Sequence, residues 1–405
     1  VPSSASSPTD PTAAAGPDVG GGTAQAVTAG VVAALVGFTS SFAVVLTGLG
    51  AVGASASEAA SGLLVVCVTM GLGCVVFSLR TRTPVTMAWS TPGAALLAGA
   101  TVPGGGYGDA VAAFVLAGVL YALTGLVGPL GRWVASIPSA LAGAMLAGVL
   151  LVLCVEPFVS LADDPAAIAP VVVTWLVLVR VARRWAVPGA LLAALVVVVA
   201  TGSLSGVGGD LAPHLTWTRP TFDLATVVAI GLPLYLVTMT SQNIPGVAVL
   251  SSFGYEAPLR PALVYAGGAT VATAGLGGYT INLAAISAAL SAGPTAHPDP
   301  DRRWIAGVST GVTYLALGPL AALVSAVAVA APAGVVASVA GLALLGTFAS
   351  AASSALADEH RREAAALTFV VAASGVAIGG IGAAFWALLA GGVFLLVTTW
   401  RPGRA

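Results

Sequence analysis

Residues 84–99 read PVTMAWSTPGAALLAG and residues 278–293 read GYTINLAAISAALSAG; they align without gaps at an offset of 194, with Thr86 on Thr280 and Gly99 on Gly293. In the first stretch an extended-favouring run through Trp89 meets Ser90-Thr91-Pro92, a helix start with a hydroxyl N-cap and Pro at the first helical position. In the second, Asn282 is the expected N-cap ahead of Leu283-Ala284-Ala285-Ile286. Each is expected to form a short strand followed by a half-helix. Neighbouring stretches match in the same order: Gly118 onward on Gly311 onward at an offset of 193, and Pro138 onward on Pro332 onward at 194. FTSSFAVVL from Phe38 resembles MTSQNIPGV from Met239 at 201. Ordered, nearly constant offsets identify one repeat running through most of each half.

The medium of this repeat follows from composition. Of 405 residues, 58% are hydrophobic and 7% charged, against about 25% charged in a soluble domain. Fourteen Arg, no Lys and 15 acids leave a net charge of -1, which provides neither a basic nucleic-acid footprint nor an acidic tail. Residues 19–57, 261–298, 304–357 and 364–400 carry no charged side chain. Each run is about twice the 20 or so residues that cross a bilayer, so each reads as two spans and a tight turn. Breaking the chain at Gly, Pro and polar clusters gives spans at 24–47, 58–79, 84–101, 109–131, 134–156, 165–182 and 186–206. A second seven follow at 222–244, 258–275, 278–293, 303–325, 328–348, 361–378 and 381–400. The expected class is an all-α polytopic membrane protein of 14 segments, in which spans 3 and 10 are strand plus half-helix.

The arginines check this count. All except Arg219 follow even-numbered spans: Arg80 and Arg82, Arg132, Arg180, Arg183 and Arg184, Arg260, Arg302 and Arg303, Arg361 and Arg362, and Arg401 and Arg404. Basic residues are retained on the cytoplasmic side of short loops, so both termini are expected there. Residues 1–23, rich in Pro, Ser, Ala and Gly, are expected to be a disordered tail without signal-peptide character. Cys67, Cys74 and Cys154 sit in apolar runs without metal-ligand spacing and read as small packing residues.

Seven spans per half is an odd number, so the second repeat enters from the opposite side. Inverted repeats are the architecture of secondary transporters, with the site at the repeat interface near the midplane. Half-helices entering from opposite sides aim their N-termini at each other, and the unpaired N–H groups there favour an anion. Ser90, Thr91 and Asn282 serve equally well as plain caps, and the two roles are compatible. Thr238, Thr240, Ser241, Gln242 and Asn243 form a further polar cluster inside span 8, marking a site or a helix contact. The repeat places it against Thr39, Ser40 and Ser41. Aromatic faces at Phe38, Phe42, Trp89 and Tyr279 are candidates to sandwich a flat ring.

Five stretches, GFTSSFAVVLTGLGAVGAS (37–55), TPVTMAWSTPGAALLAG (83–99), NIPGVAVLSSFGYEAPLRPAL (243–263), GGYTINLAAISAAL (277–290) and AGPTAHPDPDRRW (292–304), resemble the bacterial benzoate:proton symporter (BenE-type) family. The likeness runs from about residue 24 to 400. It implies the fold shared with uracil permease and the sulfate-permease group, with a core domain (24–131 and 222–325) that moves against a gate domain (132–207 and 326–400). It also implies a bacterial inner-membrane location, a small aromatic carboxylate and a proton as partners, and leaves a homodimer open. Substrate would bind between spans 3 and 10 with spans 1 and 8 alongside: Ser41, Ser90, Thr91, Gln242, Asn243, Thr280 and Asn282 offering polar contacts, Phe38, Trp89, Tyr279 and Ile281 enclosing the ring. The chain departs from nucleobase permeases, which resemble it at Tyr279, Thr280 and Asn282. They place one carboxylate where Ile281 stands and another where Ser241 or Gln242 stands. Losing both favours an aromatic acid over a nucleobase, because an uncharged pocket does not repel an anion. No side chain is identified as the proton carrier; the acids nearest to spans are Glu58 and Glu156, at span ends.

A nucleobase transporter, an inorganic-anion transporter and an anion channel of the same fold are the alternatives. An intramembrane enzyme would need paired acids, a Ser/His pair or metal ligands facing a cavity. The adjacent acids Asp163-Asp164 and Asp358-Glu359 both fall in loops, so no catalysis, cofactor or metal is expected.

Overall fold

The computed structural model describes residues 21–100, 102, 106–129, 138–206, 212, 214–378 and 382–399. The tail up to residue 20, Arg132, Arg401 and Arg404 lie outside the described residues. The chain is a multi-pass membrane protein: among the described residues, seven helices are long and apolar enough to cross a bilayer, and shorter apolar helices accompany them.

Helices α1 (Gly21–Ala51) and α2 (Ala56–Thr81) are joined by a turn with Gly53 at φ 96°. A reciprocal pair starts α2: Glu58 N–H donates to Ser55 Oγ, and the Glu58 carboxylate accepts from the Ser55 backbone N–H at 2.8 Å. It stops at Arg82, left-handed at φ 54°. Strand β1 (Met87–Trp89) and α3 (Thr91–Ala98) follow, then α4 (Tyr107–Leu126), α5 (Ser139–Asp163), α6 (Pro165–Val181) and α7 (Ala186–Ala200). The second half opens with α8 (Leu224–Thr238), a π-helical turn (Met239–Asn243) and α9 (Ile244–Ser252), and continues with α10 (Leu259–Thr273), β2 (Ile281–Leu283) and α11 (Ile286–Ala292). It closes with α12 (Trp304–Leu317), α13 (Ala321–Ala330), α14 (Val335–Leu356), α15 (Arg362–Ala373) and α16 (Ala383–Thr399).

The packing separates two groups. Helices α1 and α2 lie on α12, while α8 and α10 lie on α4; elsewhere α5 packs on α14 and α15, α6 on α7, and α15 on α16. The strands pair antiparallel inside the first group, with Met87 opposite Leu283, Ala88 opposite Asn282 and Trp89 opposite Ile281. Ala88 and Asn282 are also the pair related by the sequence offset of 194.

Several expected boundaries move. Residues 21–23, expected in the tail, belong to α1. The eighth segment does not stop at 244: the π turn passes the Ile244 N–H to Met239 O, and Pro245 falls in the first turn of α9, where its missing N–H costs little. Helix α13 runs to Ala330, and the next begins at Val335 rather than 328, because Pro332 and Gly334 (φ 79°) break the chain between them. It then reaches Leu356 rather than 348. Helix α15 stops at Ala373, ahead of Gly375 at φ 64°. Asn282 is not an N-cap: it lies within β2, and α11 starts at Ile286 behind Ala285 with no side-chain cap.

Some arginines that marked the topology also end helices. Arg260 donates to the carbonyls of Gly125 and Leu126 at the end of α4. Buried Arg303 donates to Ala292 O, the last residue of α11, and to His297 O. Cationic donors satisfy the orphan carbonyls and complement the negative end of the helix dipole. The cysteines are free and buried, and Cys74 Sγ also accepts the Met87 N–H of β1 at 3.0 Å.

Repeat-related glycines mark two helix crossings. A Cβ on Gly267 would stand 2.4 Å from Gly118 O, and one on Gly311 would stand 2.5 Å from Gly71 O. Small residues let membrane helices approach backbone to backbone. Gly267→Ala is therefore expected to destabilise the α4–α10 contact by about 1–3 kcal/mol. Thermal unfolding in detergent checks this, and an unchanged midpoint would contradict so close an approach.

Candidate functional site

The ribbon of β1 and β2 has two unlike faces, because side chains alternate along a strand. Thr86, Ala88 and Ser90 share one face with Thr280 and Asn282; Met87 and Trp89 share the other with Ile281 and Leu283. Backbone bonds extend the pairing at both ends, Ser90 N to Thr280 O and Ala284 N to Thr86 O, each 3.0 Å.

On the polar face Ser90 does what its position requires, accepting the Gly93 N–H at 3.0 Å as N-cap of α3, with Pro92 one residue later than expected, behind Thr91. Its hydroxyl also meets Thr238 Oγ1 at 2.5 Å, and Thr238 lies 3.5 Å from Thr280 Oγ1. Asn282 has no exposed surface, and neither side-chain amide atom has a hydrogen-bond partner; Thr86 Oγ1 is likewise buried and unpartnered. On the other face Trp89 sits edge-on to Phe38 at 5.6 Å and donates its indole N–H to Ser41 Oγ at 2.9 Å. Phe42 stacks on Phe38 at 5.6 Å. Asn243 braces the ribbon, its Oδ1 accepting the Leu283 N–H at 3.0 Å.

A cavity of about 480 Å³ lies where the two helix groups meet, with Thr240, Ser241, Gln242, Ala285 and Ile286 on one wall. The facing wall is Ser139 and Leu146 of α5 with Thr347 and Ser350 of α14. A second cavity, about 630 Å³ and almost wholly apolar, lies between Phe38, Thr39 and Phe42 and the side chains of Leu195, Val336 and Val339. Among the described residues no ionisable side chain lines either one. Among the described residues no cluster of His, Cys, Asp or Glu could hold a metal. Glu58 is spent on the start of α2 and on Thr218, and Glu156 accepts from Ser160 at 3.1 Å.

The expected site residues are thus distributed. Phe38, Ser41 and Trp89 come together, as do Ser90 and Thr280. Gln242 lines the polar cavity and Phe38 the apolar one. Thr91 is half-buried at the first turn of α3, while Ile281 and Asn282 are buried in the strand ribbon and are not among the residues lining either cavity. Of the four aromatic residues, Phe38 contacts Phe42 and Trp89, while Tyr279 packs against Phe114 at 6.3 Å and donates to Ser90 O. Ser139, Thr347 and Ser350 were absent from the sequence reading. For Thr347 and Ser350 the available signal was two hydroxyls three residues apart on one face of a helix.

Comparison with known proteins places this geometry. The family described as benzoate membrane transport protein matches residues 22–397. The chain is 37% identical over 370 residues to the inner membrane protein YdcO of Escherichia coli (strain K12), covering 91% of this chain and 94% of that one. It is 30% identical over 325 residues to the benzoate membrane transport protein of Acinetobacter baylyi, covering 78% and 80%. The fold is similar to the transmembrane domain of a cyanobacterium bicarbonate transporter, BicA, at a TM-score of 0.57 and 16% identity over 91% of this chain and 96% of that one. It is also similar to the murine anion transporter Slc26a9 in the inward-facing state, at 0.60 and 12% identity over 94% and 69%.

Proposed function

The chain belongs to the benzoate membrane transport protein family, and from that premise we propose that it is a secondary active transporter importing benzoate or a similar aromatic carboxylate with a proton. The observation that carries this reading is the uncharged polar cavity at the seam between the helix groups. Its size falls within the range of small-molecule pockets, and Gln242 supplies N–H donors while no carboxylate opposes an anion. Apolar neighbours such as Leu146 and Ile286 suit a ring.

Fourteen spans in two inverted sevens belong to the same reading. The strand register supports it, since a two-fold axis in the membrane plane that relates the halves would pass between Ala88 and Asn282. The helix packing supports it too: α4 rests on α8 and α10 as α12 rests on α1 and α2. In the transport cycle α1–α4 and α8–α13 form the moving core and α5–α7 with α14–α16 the gate. The cavity lining reaches Ser139 at the start of α5 and Ser354 near the end of α14, helix ends that adjoin arginine-bearing loops in the sequence, and the positive-inside rule assigns those loops to the cytoplasm. Glu58 and Glu156 are engaged elsewhere, so the reading assigns the proton to neither of them.

Uptake of labelled benzoate into proteoliposomes tests the reading. The expected result is saturable uptake, with counterflow, stimulated by an inward proton gradient; no stimulation would overturn it. Inhibition by uracil or bicarbonate and not by unlabelled benzoate would overturn the choice of substrate.

A further inference from the structure

An anion needs donors, and few are free on the core wall of the polar cavity. Thr240 already donates its hydroxyl to Leu236 O at 2.8 Å, and Ser241 donates to Val237 O at 2.5 Å. Both are therefore left as acceptors, the wrong polarity for a carboxylate. Gln242 is the side chain there that keeps its N–H groups free among the described residues. Across the cavity the gate wall is different. Thr347 and Ser350 share one face of α14, and neither hydroxyl is hydrogen-bonded among the described residues. Other helical Thr side chains return their proton to a carbonyl of the preceding turn, as Thr69, Thr81, Thr124 and Thr270 do. The Ser139 hydroxyl of α5 is also free among the described residues, while Ser354, one turn beyond Ser350, is tied to Ser139 O.

We propose that Thr347 and Ser350 form the gate half of the carboxylate site, each donating a hydrogen bond to the anion held on the core side by Gln242. This rests on the transport reading above and extends it, since the site then spans both moving parts. Such contacts exist only while the core is docked as described here. They stabilise the cytoplasmic-open, substrate-bound state relative to the state facing outward, and a ligand shifts an equilibrium by its differential affinity for the two states.

Benzoate binding to the purified, detergent-solubilised full chain, measured by titration calorimetry, tests this. Thr347→Val combined with Ser350→Ala is expected to weaken binding by about tenfold for each hydroxyl lost. The exchange Thr347→Ser with Ser350→Thr keeps both hydroxyls and is expected to bind like the parent. The proposal is overturned if the parent binds benzoate and the hydroxyl-free variant binds it equally well. It is also overturned if the hydroxyl-retaining exchange is as weak as the hydroxyl-free variant, which would reveal a packing role. Absence of benzoate binding by the parent instead removes the transport reading itself.

Discussion

Gln242→Glu is expected to abolish benzoate transport, although the two side chains are nearly the same shape. Gln242 faces a cavity without an ionisable lining group. A carboxylate placed there would stand about 5 Å from a bound carboxylate, and at an effective dielectric of about 20 the repulsion is about 3 kcal/mol, or about two orders of magnitude in affinity. The new side chain also loses the amide donors. Gln242→Met isolates that second loss, which is expected to cost only about tenfold. Calorimetric Kd values for the parent and both variants decide the matter. If the glutamate variant binds benzoate as well as the methionine variant, lack of charge is not what selects the anion.

The features legible in the sequence are those set by nearby residues. Ser90 caps α3 because a cap bond closes over three residues, and Ser90-Thr91-Pro92 contains its whole cause. Asn282 was misread for the converse reason: Asn is a good cap, but the partner that draws it into a strand is Ala88, 194 positions earlier. Pro245 and Gly246 carry a helix-stop signal that the π turn overrides by shifting the hydrogen-bond step just before them. The gate hydroxyls were hidden by a boundary. With a span expected to end at 348, Ser350 fell outside the membrane, and its relation to Thr347 on one helix face was lost. The contacts of Phe38 with Trp89 and of Tyr279 with Phe114 depend on how α1 and α4 pack, which local sequence does not encode.

Two asparagines, both buried and both beside the ribbon, separate structure from function. Asn243 holds the Leu283 N–H, so Asn243→Ala is expected to leave a buried backbone donor unpaired, cost about 1–3 kcal/mol and loosen β2. Its melting midpoint and its transport should fall together. Asn282 makes no hydrogen bond in this conformation although it is wholly enclosed, a state that itself carries a desolvation cost. Removing an orphaned amide relieves that cost, so Asn282→Ala should melt no lower than the parent. A group kept at such a cost, next to the paired starts of two half-helices, is explained if the transport cycle brings it a partner. Transport by Asn282→Ala is accordingly expected to fall at least about tenfold, the worth of a hydrogen bond to a charged group. Melting curves in detergent and initial uptake rates in proteoliposomes on the same preparations separate the cases. A lowered midpoint with undiminished uptake would make Asn282 a structural residue and return the anion to the wall formed by Gln242.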